Sequence, residues 1–236
     1  MTLPYTPAQN ERASDLRAVR IDSDGASHWL ENSAYQLEEN GLVFTPTSLG
    51  IYGVGHSPSF VDTDTHWAKE NIQFVTRRGL FMGTGQGCFS PNEVLSRGMF
   101  VTALGRLAGV EPEGQASSFQ DVADASYYAP YITWAAQNGI VSGTGAGVFR
   151  PEQPISREEM AVMMKRFAEK TGKVMHLSSK AGTFSDQNQI APWAREAVQE
   201  MQQAGILSGK RLGRFDPTGA TTRAEAAAVL ERFAKN

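Results

Sequence analysis

Ser96-Arg97, Ser156-Arg157 and Thr222-Arg223 are the places where residue type and spacing suggest chemistry. Each dipeptide follows a glycine-containing loop and opens a stretch with helical periodicity. The hydroxyl suits an N-cap. In Ser156-Arg-Glu-Glu159 and Thr222-Arg-Ala-Glu225 the glutamate completes a capping box by reaching back to the cap amide. Ser96-Arg97-Gly98-Met99 keeps the cap and lacks the glutamate. Capping explains the Ser, Thr and Glu. It does not explain the arginine, because a cation in the first turn opposes the helix dipole. Two uses would account for it. One is recognition of a carboxylate or phosphate together with free amides of the helix N-terminus. The other is a structural ion pair to Asp62, Asp121 or Asp186.

The loops ahead of these arginines carry Gly83-Thr-Gly85-Gln-Gly87 and Gly143-Thr-Gly145-Ala-Gly147. Glycine there permits positive φ and close approach of a ligand to the backbone, or simply a tight turn. No Lys-Ser/Thr follows, so a nucleotide-phosphate loop is not indicated. The third loop, Gly209-Lys-Arg-Leu-Gly213, has lost its middle glycine, and is expected to bind differently or not at all. Trp67, Tyr127 and Trp193 lie near the start of their helices. Each reads first as a core anchor, although an exposed edge could stack on a sugar face.

Other constellations are absent from the sequence. His28, His56, His66 and His176 share no metal spacing, and no G-x-S-x-G or H-E-x-x-H occurs. Asp62-Thr-Asp64 and Asp121-Val-Ala-Asp124 lack the twelve-residue calcium loop and read as N-caps. Cys88 has no nucleophile partner in sequence. The expectation is no catalytic residue, no metal site and no cofactor.

The elements that must position these residues repeat three times. Aligned on Gly79, Gly139 and Gly205, twelve residues earlier lie Trp67, Tyr127 and Trp193, and seven earlier Ile72, Ile132 and Val198. Ten later come Phe89, Phe149 and Phe215; twelve later, Pro91, Pro151 and Pro217; eighteen later, the arginines. Phe60-Val-Asp62, Phe119-Gln-Asp121 and Phe184-Ser-Asp186 open the units. The stretch from the aromatic to the glycine reads as a helix, with Trp67, Ile72, Phe74 and Val75 as its stripe in the first unit. The glycine stops it as C′ residue. After the arginine comes a second helix: Met160, Met163, Met164 and Phe167 in unit two, Ala226, Val229, Leu230 and Phe233 in unit three. Each unit is helix, long loop, helix.

Ahead of the repeats, residues 1–57 read as β-rich, with residues 1–15 as a tail. About four short strands are expected, with turns at Asp24-Gly25 and Asn40-Gly41. This is the end of an upstream domain, or an appendage docked on the repeats. Across the 236 residues, apolar content is 41%, charged content 20% and net charge −3. That is a globular composition without a basic face for nucleic acid, and no apolar run is long enough for a membrane span. A single cysteine excludes an intrachain disulfide. The opening lacks the basic and apolar regions of a signal peptide, so the chain is expected to be intracellular or a piece of a longer secreted protein.

Phe-x-Asp, an aromatic before a helix, Gly-x-x-x-Gly-x-Gly-x-x-x-Phe-x-Pro and Ser/Thr-Arg-x-Glu, in three copies of which the first lacks the glutamate and the third the middle glycine, resemble the S-layer homology (SLH) domain from Ser59 onward. The resemblance implies a mainly α fold: three helix-loop-helix repeats at 58–110, 117–172 and 182–236 in a pseudo-threefold arrangement with grooves between neighbours. It implies a non-covalent cell-wall anchor, extracellular, monomeric as an isolated module, that binds a secondary wall polysaccharide bearing a pyruvate ketal. Arg97, Arg157 and Arg223 would meet the ketal carboxylate. The glycine amides of Gly83, Gly85, Gly143 and Gly145 would meet ring oxygens, and Trp67, Tyr127 and Trp193 the ring face. The first groove, with its full glycine loop, is expected to work. Glu158, an extra acid beside Arg157, is expected to weaken the second. Alternatives are a protein–protein assembly module with the arginines as structural ion pairs, or the anchor of an extracellular enzyme whose catalytic part is absent from this chain.

Overall fold

The computed structural model describes residues 1–9, 11–30, 32–46, 48–110, 117–178 and 182–236. Most of the expected linker after Gly109, and part of that after Thr171, lie outside the described residues. Two compact units emerge: Met1–Arg77 with Met82–Phe89, and Arg78–Phe81 with Ser90–Asn236.

The first unit holds two three-stranded antiparallel sheets. β1 (Thr2–Pro4), β5 (Gly41–Val43) and β4 (Ala34–Gln36) form one; β3 (Ser27–Leu30), β2 (Leu16–Ile21) and β6 (Ile51–His56) form the other. Among the described residues six strands replace the four expected. Residues 1–15 are not all tail: β1 pairs with β5, and the terminal ammonium donates to the Phe44 carbonyl at 2.9 Å. The expected turns are present, with Gly25 and Asn40 in the left-handed region. Ala18, Leu30 and Phe44, flanked by Leu3 and Tyr52, make a small core.

Such short strands bury little apolar surface by themselves, and the same unit includes helix α1 (Lys69–Arg77). The Arg77 guanidinium lies 4.6 Å from the Trp29 ring centroid, and its Nε donates to Ser57 Oγ at 2.7 Å. The segment is therefore docked on the first helix of the first repeat. α1 starts after Trp67, so that residue does not belong to its stripe; Ile72 and Val75 do, fully buried.

The second unit contains α2 (Arg97–Leu107), α3 (Ala129–Gln137), α4 (Arg157–Thr171), α5 (Arg195–Gln203) and α6 (Arg223–Lys235). α3 packs on α2 and α5 on α4, so the second helix of one repeat holds the first helix of the next. Phe100, Leu104, Ile132, Phe149, Met160, Met164, Met201, Phe215, Leu230 and Phe233 fill the core. α3 and α5 end as expected at Gly139 and Gly205, both left-handed. The amides of Gly139 and Ile140 bond back to Ala136 and Ala135, and those of Gly205 and Ile206 to Gln202 and Met201. Ser156 and Thr222 form complete capping boxes, and Ser96 caps without the glutamate.

The stretches entering α2, α4 and α6 meet in a closed triangle. The Leu95 amide donates to Thr221 O at 2.9 Å, the Thr221 amide to Ile155 O at 3.1 Å, and the Ile155 amide to Leu95 O at 3.0 Å. This three-way ring realises the expected pseudo-threefold arrangement. Each entry strand has one donor and one acceptor to spend, and a cycle of three leaves neither orphaned.

Candidate functional site

The triangle decides what the helix N-termini can do. The first two amides of α2, at Arg97 and Gly98, donate to Gln153 O and Pro151 O of the second repeat. Those of α4, at Arg157 and Glu158, donate to Gly219 O and Pro217 O of the third, and those of α6, at Arg223 and Ala224, to Glu93 O and Pro91 O. The third amide of each helix goes to the cap hydroxyl. The first-turn amides are spent on the neighbouring repeat, so the expectation of free amides for an anion is corrected.

The arginines follow the same rule. Arg97, Arg157 and Arg223 are 3%, 5% and 5% exposed. Arg97 Nε donates to Phe149 O at 3.1 Å, its Nη1 to Glu159 Oε1 at 2.8 Å, and the guanidinium lies over the Phe149 ring. Arg157 donates to Phe215 O and Ser208 O, both at 2.7 Å, over the Phe215 ring. Arg223 lies over Phe81. Burial pulls the Arg97 and Arg157 guanidinium groups below their ordinary pKa, with nearby carboxylates opposing. A cation that opposes its own helix dipole is thus held by carbonyls, rings and, at Arg97, a carboxylate of the next repeat. The acceptors of Arg97 and Arg157 are Phe149 O and Glu159, and Phe215 O and Ser208 O, rather than the expected Asp121 and Asp186.

Those aspartates are loop clamps, not N-caps. Asp121 accepts from the Phe149 amide at 2.8 Å and the Arg150 amide at 2.6 Å. Asp186 does the same for Phe215 and Asp216, at 2.7 and 2.8 Å. In the N-terminal unit Asp62 accepts from the Phe89 amide at 2.9 Å. Arg150 and Asp216 are left-handed, φ 61° and 60°, a conformation that costs free energy outside glycine. The second carboxylate oxygen offsets that cost. The Glu158 carboxylate accepts the Ala191 amide of the third repeat at 3.0 Å.

The loop glycines divide into two kinds. A Cβ on Gly143 would stand 2.7 Å from Val148 O and 2.9 Å from the Phe119 ring. On Gly83 it would stand 2.7 Å from the Phe60 ring. These glycines let the opening phenylalanine close over the loop. Gly85 and Gly145 face open space at φ 113° and 115°, which side chains rarely adopt. The third loop keeps its frame without the middle glycine: the Lys210 amide donates to Arg214 O as the Thr144 amide does to Val148 O. Leu212 takes the left-handed place of Ala146.

Trp67, Tyr127 and Trp193 are 63%, 55% and 58% exposed, so they are not core anchors. Trp193 lines a cleft of about 520 Å³ with Arg97, Ser142, Gly143, Thr144, Glu159 and Arg166 over a floor that includes Ile140 and Met163. All three repeats contribute. Of the expected residues, Arg97, Gly143 and Trp193 come together here; Arg157, Arg223, Tyr127 and Gly145 do not line it. Burial, then the charge of Glu152, raises the Tyr127 hydroxyl pKa, with Arg106 and Arg223 opposing. Glu159 and Arg166 were missed by the sequence reading. The first was absorbed by its capping role, and the second stands at the same register as Arg106 and Arg232, a match that could have found it.

The S-layer homology domain family model matches residues 59–98, 118–161 and 183–227, more than half of the chain. An amylopullulanase of Thermoanaerobacterium thermosulfurigenes is 32% identical over 80% of this chain and 10% of its own length. The exoglucanase XynX of Acetivibrio thermocellus is 30% identical over 89% of this chain and 18% of its own. The surface-layer 125 kDa protein of Lysinibacillus sphaericus is 27% identical over 72% and 14%. The chain thus spans less than a fifth of the length of these relatives.

Proposed function

This chain belongs to the S-layer homology domain family, and on that premise we propose that it anchors a protein non-covalently to the cell wall by binding an acidic, pyruvylated wall polysaccharide. The module type is a cell-surface one, matched in a surface-layer protein, an amylopullulanase and an exoglucanase. No helix among the described residues is long and apolar enough to cross a membrane.

The observation that carries the polysaccharide reading is the cleft at Trp193. It offers an exposed indole for a sugar face, the backbone at Gly143 for ring hydroxyls, and a guanidinium for a carboxylate. Purified sacculi should retain the chain, and removal of the pyruvyl groups should release it. Equal retention on walls stripped of polysaccharide would favour the protein-assembly reading. The enzyme relatives favour a second part of the proposal: the chain catalyses nothing itself and can serve as the anchor of a longer extracellular enzyme. Polysaccharide hydrolysis by the isolated chain would refute that part.

A further inference from the structure

We propose that Arg166, and not the buried Arg97, is the residue that grips the anionic group of the ligand in this cleft; the proposal rests on the reading of the cleft as an acidic-sugar site. An arginine stands twenty-seven residues after Gly79, Gly139 and Gly205: Arg106, Arg166 and Arg232. In two repeats it is used internally. Arg106 Nη1 donates to the carbonyls of Gly79 and Leu80 at 3.4 and 3.2 Å, and Arg232 Nη1 to that of Ile206 at 3.4 Å. Each caps the carbonyls at its own repeat's helix stop. Among the described residues Arg166 makes no such bond and no ion pair; it is exposed and lines the cleft with Trp193.

Charge in the cleft points the same way. Of its three charged lining residues, Arg97 and Glu159 neutralise each other at 2.8 Å. Arg166 therefore sets the net positive charge. Arg97 has committed Nε and Nη1 within the protein and is 3% exposed, so it can present only an edge. An exposed guanidinium can instead rotate its planar fork onto a carboxylate and bind it through two parallel bonds. With the ring of a sugar on Trp193, a carboxylate carried on that ring would lie within the same cleft.

The test follows the indole N–H resonance of Trp193, assigned with Trp193→Phe, as pyruvylated wall polymer and the same polymer stripped of pyruvyl groups are titrated. The unsubstituted chain should bind the pyruvylated polymer more tightly. Arg166→Ala should weaken that binding roughly ten- to hundredfold and abolish the preference, with an unchanged thermal midpoint. Arg166→Lys should recover part of it. Unaltered affinity and preference in Arg166→Ala would overturn the assignment and leave the wall-polymer reading standing. No response of Trp193 to either polymer in the unsubstituted chain would overturn both.

Discussion

Arg97 of the first repeat and Glu159 of the second form an ion pair of 2.8 Å, with the arginine 3% exposed and its guanidinium over the Phe149 ring. The same glutamate accepts the Ser156 amide at 2.9 Å, so one carboxylate ties a cap to a neighbouring repeat. Arg97→Ala removes the cation that faces the Glu159 carboxylate and leaves the Phe149 carbonyl without the Nε donor. A loss of about 3 kcal/mol is expected in urea unfolding; a loss under about 1 kcal/mol would show that the pair is not structural. Arg97→Lys keeps the charge without the fork and should recover only part. Wall-retention assays on variants of Arg97, Arg157 or Arg223 therefore report folding as well as binding, and need a stability measurement beside them.

The Asp186 clamp predicts an acid limit. Burial would raise the carboxyl pKa, but the amides of Phe215 and Asp216 and the side chain of Arg214 outweigh it and hold the group below its ordinary value. Asp121 behaves alike through Phe149 and Arg150. A depressed folded pKa means stability present above the unfolded value, about 3.9, and lost as pH falls through the folded one. Unfolding followed from pH 6 downward should show a stability decline starting near pH 4. In Asp121→Asn/Asp186→Asn that decline should shrink, from a lower starting stability. An unaltered acid limb in the double variant would rule out the clamp as its source.

Thr221 closes the backbone triangle, yet its buried Oγ1 has no hydrogen-bond partner among the described residues. Its counterparts in the triangle, Leu95 and Ile155, are apolar. Thr221→Val replaces the hydroxyl by a methyl group of similar size and relieves an unpaired polar atom, which is worth about 1 kcal/mol. A rise in thermal midpoint checks it, and destabilisation would indicate that the hydroxyl does find a partner.

Trp193 separates binding from folding. At 58% exposed, Trp193→Ala should change stability by no more than about 0.5 kcal/mol while lowering retention on sacculi. Retention equal to that of the unsubstituted chain would remove the indole from the site.

Gly143 should behave in the opposite way. The Cβ of Gly143→Ala would press on Val148 O and the Phe119 ring, and overpacking of this kind costs about 1–3 kcal/mol. Stability and retention should fall together; a stable variant that no longer binds would mean that the glycine serves the ligand and not the loop.

Much of this was legible in the residues. The register of Gly139, Phe149 and Arg157 marked one repeat, and Ser156 with Glu159 marked a helix start, because caps and helix stops are local interactions within a few residues. The role of the aspartates is not local in this way: the partners that Asp121 bonds lie 28 and 29 residues away in sequence. At Trp193 the sequence points first to a core anchor, because residue type does not reveal which side of a helix start meets solvent.

By itself the sequence determined three copies of helix, loop and helix, with caps, glycine stops and a common register. Which copy each residue meets was decided only by the tertiary structure. Arg97, Arg157 and Arg223 look alike in the chain, but each reaches its own neighbour in a ring, and the neighbours differ: Glu159 for the first, the Ser208 carbonyl for the second. The helix-start amides and the arginines are satisfied across repeat boundaries, by groups some 50 residues or more distant in sequence. Periodicity reports which faces are apolar. It does not report how buried donors from different segments divide the available acceptors, and that division left Arg166 facing the cleft.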